Sequence, residues 1–363
     1  METPTQTALI LSAQAGDRTA FDTLVEPYQR ELLVHCYRML GSVHDAEDLV
    51  QETLIRAWEK RATFTSPGSY RAWLYRIATN LCLNVLSRNP RRILPSSRYP
   101  ATDPSLPLPK DVREPIWLEP FPDELLAGPY TDPEAHTLLH ERITLAFLVA
   151  IQHLTPTQRA ILLLREVLEW DARETAAWLN LSVPAVNSAL QRARRTLLHL
   201  HASPPVPFAP SSAHIQSLLD RFVALWEQGD IPGLVALLRE DARFSMPPIP
   251  AWFQGRAAIT TFFQTTTFTY PGKWRLLPTY ANASPAFGVY RWHAEAGVYR
   301  LFGLVVLEMM GEQVAHMVAF LELSSLLPFA LPDTLLPSQE RPILVVKRAE
   351  ENGPFLKHLL RQS

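Results

Sequence analysis

Apolar positions recur with the period of an amphipathic α-helix through the first ninety residues of the chain. The period predicts four helices, near residues 5–15, 18–40, 44–61 and 69–88. In the third helix, Asp45, Asp48 and Glu52 share a face that the apolar stripe leaves free. The fourth helix turns another set of residues away from its apolar face, namely Arg71, Tyr75, Arg76, Thr79 and Asn80.

A second helical pattern runs over residues 134–202 and predicts four more helices. Thr155 followed by Pro156 is typical of a helix start, and Asp171 and Ser182 are further N-cap residues. A short helix that ends at Asn180, a tight turn and a longer helix from Ser182 together predict a helix-turn-helix.

The third pattern changes period after one amphipathic helix, AHIQSLLDRFVALWEQGD. Alternating segments then follow, among them FGVYRWHA, VYRLFGLVVLEMM and VAHMVAFLEL, and these predict strands of an antiparallel sheet. A helix before a curved sheet indicates an α+β cone. We expect a multidomain fold in which two all-α helical domains precede this α+β domain.

Proline separates the blocks, since the chain has 32 prolines and only 13 glycines. The prolines cluster in residues 90–133 and 203–212, where regular helices and strands are disfavoured. We therefore predict six segments: an N-terminal block (1–89), a proline-rich linker (90–133), a middle block (134–202), a second linker (203–212), a C-terminal block (213–327) and a tail without an assigned role (328–363).

The amino-acid composition and the net charge exclude several classes of protein. Of the 363 residues, 47% are hydrophobic, which excludes wholesale disorder, and the net charge of −2 gives no global basic field for nucleic acid. Cys36 and Cys82 are too few for a disulfide framework or a zinc site. We find no leader pattern and no apolar run of the roughly 18 residues a membrane helix needs. We expect a soluble, cytoplasmic protein with no membrane partner and no metal.

The last helix of the middle block carries the best local signal for DNA. No acidic residue lies between Ser182 and Ser203. Amides and hydroxyls near a helix start can read base edges while arginines further along meet phosphates. The alternative is a solvated basic helix end. The candidate DNA-reading residues are Asn187, Ser188, Gln191, Arg192, Arg194 and Arg195.

The fourth helix of the N-terminal block and the segments beside it interleave aromatic rings with cations. Base stacking beside phosphate-neutralising arginines is typical of single-stranded DNA binding. The alternative is that Trp73 and Tyr75 simply cover the core of the bundle. The interleaved residues are Phe64, Tyr70, Arg71, Trp73, Tyr75, Arg76, Arg88, Arg91 and Arg92.

These segments carry a resemblance to a known family. HCYRMLGSVHDAEDLVQETLIRAW and YRAWLYRIATNLCLN resemble region 2 of the extracytoplasmic-function sigma factors of the sigma-70 family. LTPTQRAILLLREVLEWDARETAAWLNLSVPAVNSALQRARRTL is similar to their region 4. The C-terminal block, with FSMPPIPAWFQGRAAI, resembles a SnoaL-like domain of the nuclear-transport-factor-2 superfamily.

The resemblance implies a transcription-initiation subunit with core RNA polymerase and promoter DNA as partners. It gives the acidic face, Asp45, Asp48, Gln51 and Glu52, to the β′ clamp of the polymerase. It gives Phe64 and Asn80 to an unstacked base of the melted −10 element, with Arg71, Tyr75 and Arg76 on the same helix. The middle block would read the −35 element as duplex. The proline-rich linker would run through the polymerase toward the RNA exit path, and we expect contacts with the β subunit as well.

The C-terminal block could hold a small ligand in its cone. Its expected lining is Trp252, Phe263, Tyr290, Trp292, Phe302 and His316, which is largely aromatic and poor in acids. We therefore expect a regulatory role with no cofactor and no catalysis. The alternatives are a one-component DNA-binding regulator that uses only the helix-turn-helix, and an NTF2-like enzyme, with His316 or Asp241 as its catalytic groups, fused to a DNA-binding module.

Overall fold

The computed structural model of the protein describes residues 4–65, 69–88, 91–110, 117–125, 143–199, 213–269 and 273–337. The described residues of the N-terminal block form a bundle of five α-helices. They are α1 (Pro4–Gln14), α2 (Arg18–Val25), α3 (Gln29–Leu40), α4 (Val43–Glu59) and α5 (Tyr70–Leu86). Cys36 and Cys82 are free thiols buried in this bundle.

The boundaries of these helices follow from local chemistry. The side chains of Asp17, Ser42 and Ser69 each accept a backbone N–H in the first turn of α2, α4 and α5. The helix predicted over residues 18–40 is split in two, because Pro27 interrupts it in a short 3₁₀ turn. Gly41 ends α3 with a φ of 75°, a conformation that favours glycine.

The described part of the middle block contains four helices, α6 (Leu145–Gln152), α7 (Pro156–Leu162), α8 (Ala172–Leu179) and α9 (Val183–His199). Thr155 and Gln158 form a reciprocal capping box at α7, and Asp171 caps α8 as predicted. Asn180 takes the left-handed conformation at the end of α8, and the Ser182 hydroxyl accepts from the backbone of α9. The predicted helix-turn-helix is therefore confirmed.

The described part of the C-terminal block combines three α-helices with one sheet. The helices are α10 (Ala213–Gln228), α11 (Ile231–Ala236) and α12 (Gly255–Phe262). The strands are β1 (Leu238–Ser245), β2 (Trp252–Gln254), β3 (Trp274–Ala281), β4 (Ser284–His293), β5 (Val298–Met310), β6 (Gln313–Phe320) and β7 (Thr334–Leu335). Six strands lie in the order β2-β1-β6-β5-β4-β3, and β7 pairs with β5.

Two features of this sheet differ from the expectation. β3 to β6 pair antiparallel as predicted, but β1 pairs parallel with β6. The sheet also continues past the predicted domain end at residue 327, because Leu335 of β7 pairs with Tyr299 of β5. The first residues of the predicted tail are thus part of the C-terminal fold, and residues 338–363 lie outside the described residues.

The two faces of the sheet are buried in different ways. The inner face packs on α10 and α12 and forms the core of the cone, with Phe222, Phe244 and Leu307 among its residues. The outer face continues into the core of the two helical blocks, because Leu304 and Phe320 belong to the same apolar cluster as residues of α3 and α7. One hydrophobic core therefore joins all three blocks.

The expected fold class, two helical domains followed by an α+β cone, is confirmed. The described stretches of the proline-rich linker, 91–110 and 117–125, lack α-helix and contain two 3₁₀ turns, Pro95–Ser97 and Asp123–Leu125. The second predicted linker, 203–212, lies outside the described residues. Among the residues that are described, no helix is both long and apolar enough to cross a bilayer.

Candidate functional site

The predicted DNA-reading residues of α9 form one exposed face of that helix. Val186, Leu190 and Ala193 turn inward, which fixes the orientation of the helix. The guanidinium of Arg194 pairs with Glu166, at 2.5 Å between Nε and Oε1, while the side chain stays largely exposed. The six residues that the structure brings together on the exposed face are Asn187, Ser188, Gln191, Arg192, Arg194 and Arg195.

The predicted polymerase-binding residues lie along α4 in different environments. Asp48 and Gln51 are exposed. Glu52 pairs with Arg56 of the same helix, at 2.6 Å, and Asp45 pairs with Arg92 of the linker, at 2.8 Å. A docking partner can therefore reach Asp48 and Gln51 directly, but it must compete with Arg92 for Asp45.

The predicted single-strand-binding residues do not form one open surface. Arg76 and Asn80 are exposed on α5. Phe64 is only 8% exposed, and its ring centroid lies 5.1 Å from Tyr70 and 5.5 Å from Trp73. Phe64 therefore belongs to an aromatic cluster at the start of α5 and has little surface free for a base.

Tyr75 departs most clearly from the expectation, because it is 2% exposed although the helical period placed it on the outer face. Its hydroxyl donates to Glu31 at 3.2 Å, and Arg71 donates to the same carboxylate at 2.6 Å. The ring meets Trp170 of the middle block edge-on, with centroids 5.7 Å apart. The middle block thus covers a predicted DNA-binding residue of the N-terminal block.

A buried arginine joins the two helical blocks directly. Arg159 of α7 is fully buried and donates to the backbone oxygen of Met39 near the C-terminal end of α3. It also donates to Ile151, at 3.1 Å. Carbonyls at a helix C-terminus carry partial negative charge, so this is a favourable place for a cation. Burial nonetheless lowers the pKa of Arg159 to about 10.

The turn between β3 and β4 connects the C-terminal block to both helical blocks. Asn282 is fully buried, with a φ of 54°. Its Nδ2 donates to the Tyr37 hydroxyl and to the Ile143 carbonyl, both at 2.9 Å. Its Oδ1 accepts from the Phe121 backbone N–H, also at 2.9 Å. We call this contact of the N-terminal block, the linker and the residues before α6 the Asn282 junction.

Next to the Asn282 junction, the linker places a carboxylate in a poorly hydrated position. The Ala283 backbone donates to Asp123 Oδ1, at 2.9 Å. Loss of solvent raises the pKa of Asp123 to about 7, and the single hydrogen bond from Ala283 only partly opposes this. Ionisation of Asp123 is therefore costly while the turn is docked.

The linker is also fixed to the start of α4. Glu119 accepts from the Ser42 hydroxyl at 2.8 Å and from the Val43 backbone at 3.1 Å, a favourable place for an anion. Arg92 donates to Glu119 and to Asp45, at 2.8 Å each. These bonds hold two distant parts of the linker against the N-terminal block.

The cone of the C-terminal block encloses a cavity of about 240 Å³. Its wall is largely apolar and includes Trp226, Phe244 and Trp274, together with Leu108 from the linker. Of the six predicted lining residues, only Phe302 lies on this cavity. This cavity is thus lined mainly by residues other than the predicted ones, since a period of two residues does not tell the inner face of a strand from the outer face.

The other five predicted lining residues lie elsewhere. Phe263 packs in the core of the cone. The indole of Trp252 donates to the Tyr99 carbonyl of the linker, at 2.8 Å. Tyr290 and Trp292 form a separate apolar cluster with Tyr299 and Leu335. His316 is on the outer face of the sheet.

His316 takes part in a hydrogen-bonded chain between the sheet and the middle block. Its Nε2 lies 2.8 Å from the Ser245 hydroxyl, and its Nδ1 lies 3.1 Å from Glu308 Oε2. The other oxygen of Glu308 accepts from the Ala146 backbone in the first turn of α6, at 2.8 Å. Although the order resembles a hydrolase triad, Ser245 is fully buried and no substrate can reach it.

Sequence reasoning did not identify the residues that join the blocks, Asn282, Asp123, Glu119 and Arg159. Asn282 and Ala283 both have a positive φ. The asparagine in TYANASP is typical of such a turn, so the sequence could have indicated the turn itself. The partners of the turn come from residues far away in the chain, so no local pattern predicts them.

Three parts of the chain match known protein families. Residues 24–92 match Sigma-70 region 2, residues 144–197 match Sigma-70 region 4, and residues 219–317 match the SnoaL-like domain. The ECF RNA polymerase sigma factor SigG of Mycobacterium tuberculosis is 46% identical to the chain over 321 residues, which cover 88% of this chain and 85% of that protein.

A second relative extends the comparison to solved structures. The ECF RNA polymerase sigma factor SigJ of Mycobacterium tuberculosis is 29% identical over 221 residues, covering 61% of this chain and 62% of that protein. The crystal structure of Mycobacterium tuberculosis SigJ matches with a TM-score of 0.53 at 20% identity, over 83% of this chain and 98% of that chain. The arrangement of helical blocks and cone is thus a shared fold.

Proposed function

The chain belongs to the extracytoplasmic-function RNA polymerase sigma factors of the sigma-70 family, and from this premise we propose how its surfaces divide the work of transcription initiation. The protein binds core RNA polymerase, recognises promoter elements and supports opening of the start site. The observation that carries this function is the ordered pair of sigma-70 regions within a chain that is 46% identical to a sigma factor over 88% of its length.

The exposed face of α9 reads the −35 element as duplex DNA. Its amides and hydroxyl near the helix start contact base edges, and its arginines contact phosphates. Asp48 and Gln51 contact the β′ clamp, and Asp45 and Glu52 join them once their arginine partners, Arg92 and Arg56, are displaced.

Arg76 and Asn80 contact the melted −10 strand first, since both are exposed on α5. Phe64, Arg71 and Tyr75 contribute after rearrangement, because in the described arrangement they are held by the aromatic cluster, by Glu31 and by Trp170.

The described arrangement is an idle, closed state of the protein. The C-terminal block regulates the equilibrium between this closed state and an open one. Region 2 and region 4 bind promoter elements separately, whereas here Trp170 covers Tyr75 and Arg159 is buried against Met39. The Asn282 junction links both regions to the C-terminal block at once. Undocking of the C-terminal block therefore favours the open form that polymerase binds.

The C-terminal block performs no reaction of its own. The wall of its cavity is largely apolar, and the polar side chains among its described lining residues include Thr266, Thr267 and Arg291 but no carboxylate or histidine that would transfer a proton. A small apolar ligand in this cone would contact Leu108 of the linker, which gives a route from the cone to the helical blocks.

Run-off transcription with core polymerase tests the function. Asp48→Arg reverses a charge on the exposed face of α4, so we expect weaker polymerase binding, whereas the same change at Glu59, at the last turn of α4, has a smaller effect. Asn80→Ala leaves polymerase binding intact and impairs promoter melting. The matched control is Asn84→Ala, one turn further along the exposed surface of α5. Normal melting by Asn80→Ala contradicts the −10 assignment, and failure of the wild type to bind polymerase contradicts the function as a whole.

A further inference from the structure

A second cavity, of about 560 Å³, lies where the N-terminal block, the linker and the middle block meet. It is separate from the cone and from the exposed face of α9, but two of its arginines, Arg91 and Arg92, belong to the set predicted to bind single-stranded DNA. Its described lining comes from the end of α5, from the linker and from α6 and α7: Leu86, Arg91, Arg92, Ile93, Ser97, Arg98, Leu118, Val149, Gln152, His153 and Pro156. The volume suits a small molecule.

The charge of this cavity is not neutralised by the protein. Its described lining residues include three arginines and no carboxylate. Arg92 is satisfied by Asp45 and Glu119, but Arg91 reaches only the backbone oxygens of Gln152 and His153, at 3.4 Å each. Neither Arg91 nor Arg98 forms an ion pair within the described part of the chain. The positive charges of Arg91 and Arg98 are therefore not balanced by a carboxylate in the described structure, and an anion can pair with them.

The positive charge of Arg91 also affects the neighbouring His153. Burial, and then the positive charge of Arg91, lower the pKa of His153. The wall also contains Gln152, which is 2% exposed and whose amide oxygen and nitrogen have no hydrogen-bond partner in the described structure. A buried amide without a partner is unfavourable, so this wall has a donor and an acceptor that the described structure does not use.

The remainder of the lining is apolar. Leu86, Ile93, Leu118, Val149 and Pro156 give the cavity a hydrophobic surface beside the guanidinium groups. A simple inorganic anion would pair with the guanidinium groups but would leave the apolar surface exposed to water. A ligand that joins phosphate groups to a planar heterocycle would use both, because arginine forks match phosphate oxygens and a ring covers apolar side chains.

We propose that this cavity binds a nucleotide, with Arg91 and Arg98 on its phosphates and the apolar wall against its base. The occupant touches region 2, the linker and region 4 together, so it binds the closed arrangement more tightly than an open one. By linkage, the bound nucleotide shifts the protein toward the closed arrangement. This regulatory consequence rests on the proposed function, whereas the binding itself does not.

Binding is tested with the full chain, ADP, ATP and inorganic pyrophosphate as probes, and isothermal titration calorimetry. We expect ADP and ATP to bind at one site, with at least tenfold weaker affinity in the Arg91→Gln, Arg98→Gln double variant. Both arginines are exposed, so the variant keeps its fold. Arg221→Gln on α10 is the matched control for loss of charge, because Arg221 is exposed and does not line the cavity.

A second variant tests the cavity rather than the charge. Ser97→Trp fills the space without altering the arginines, and we expect it to abolish ADP binding. The proposal is overturned if no nucleotide binds, if Arg221→Gln weakens binding as much as the double variant, or if Ser97→Trp binds ADP normally. Pyrophosphate that binds as tightly as ADP overturns the assignment to a nucleotide.

The regulatory consequence has its own readout. Fluorescence transfer between dyes on exposed positions of α5 and α9 reports the separation of the two DNA-binding helices. We expect ADP to favour the shorter separation and to reduce binding to core polymerase in the wild type but not in the double variant. Binding of ADP without either change refutes the coupling alone, while loss of polymerase binding by the protein without ADP refutes the proposed function.

Discussion

Removing the side chain of Asn282 gives the sharpest test of how the blocks are held together. The Asn282→Gly variant deletes its three hydrogen bonds, all of which cross between blocks. Glycine accepts the positive φ of this turn, so the backbone itself is not strained. The substitution therefore weakens docking of the C-terminal block and leaves the interior of each block unchanged.

The size of the effect follows from the bonds that are lost. A hydrogen bond in a protein contributes about 0.5–1.5 kcal/mol net, so three of them contribute about 2–4 kcal/mol. Since 1.4 kcal/mol is a factor of ten, the ratio of open to closed molecules should rise by about 30-fold to several hundred-fold. Asn282→Ala deletes the same bonds and should open the protein to a similar extent, while the alanine in the left-handed region costs about 1 kcal/mol more in the stability of the C-terminal block itself.

Fluorescence transfer between dyes on α5 and α9 measures the opening, and binding to core RNA polymerase measures its consequence. We expect lower transfer and tighter polymerase binding for Asn282→Gly. Asn180→Gly is the matched control, because Asn180 also has a φ of 54° but lies at the end of α8, away from the Asn282 junction. If Asn282→Gly behaves as the wild type in both assays, the Asn282 junction does not hold the blocks together.

Three further perturbations give expected outcomes. The pKa of Asp123 is about 7 when the C-terminal block is docked and 3.8 when the carboxyl is free, so docking takes up a proton between these pH values. Docking should therefore weaken as the pH rises from 5.5 to 7.5. The Asp123→Asn variant should show a flatter pH dependence in the fluorescence assay. Arg194→Ala should lower −35 duplex affinity for all sequences and reduce the salt slope by about one, measured by anisotropy. Trp170→Ala uncovers Tyr75 and should raise affinity for a melted −10 oligonucleotide, whereas unchanged affinity contradicts the covering role.

Local features of the fold could be predicted from the sequence because they depend on neighbouring residues. Asp171 and Ser182 cap helices, Pro156 begins one, and the exposed face of α9 follows from its apolar stripe. The same reasoning failed for Tyr75, since it is covered by His35 of α3 and by Trp170 of another block, both of which are distant in the chain.

The C-terminal block shows the same limit. Alternation along β6 correctly indicates a strand, but it cannot tell which of the two faces encloses the cavity, and His316 lies on the opposite one. The outer face of this sheet also carries buried apolar residues, such as Leu304, Val306 and Phe320, which pack on the helical blocks. Packing between residues that are distant in the chain decides which face of the sheet encloses the cavity. The alternation pattern of a single sequence does not predict this packing.

The shared core beneath the sheet sets a condition on the active form of the protein. When the blocks separate, Leu304, Val306, Val318 and Phe320 lose part of their apolar cover and meet water. An exposed apolar surface of this kind favours association with other protein chains. In the proposed opening, a molecule that polymerase has not yet bound would therefore either reclose or associate with another chain through this surface.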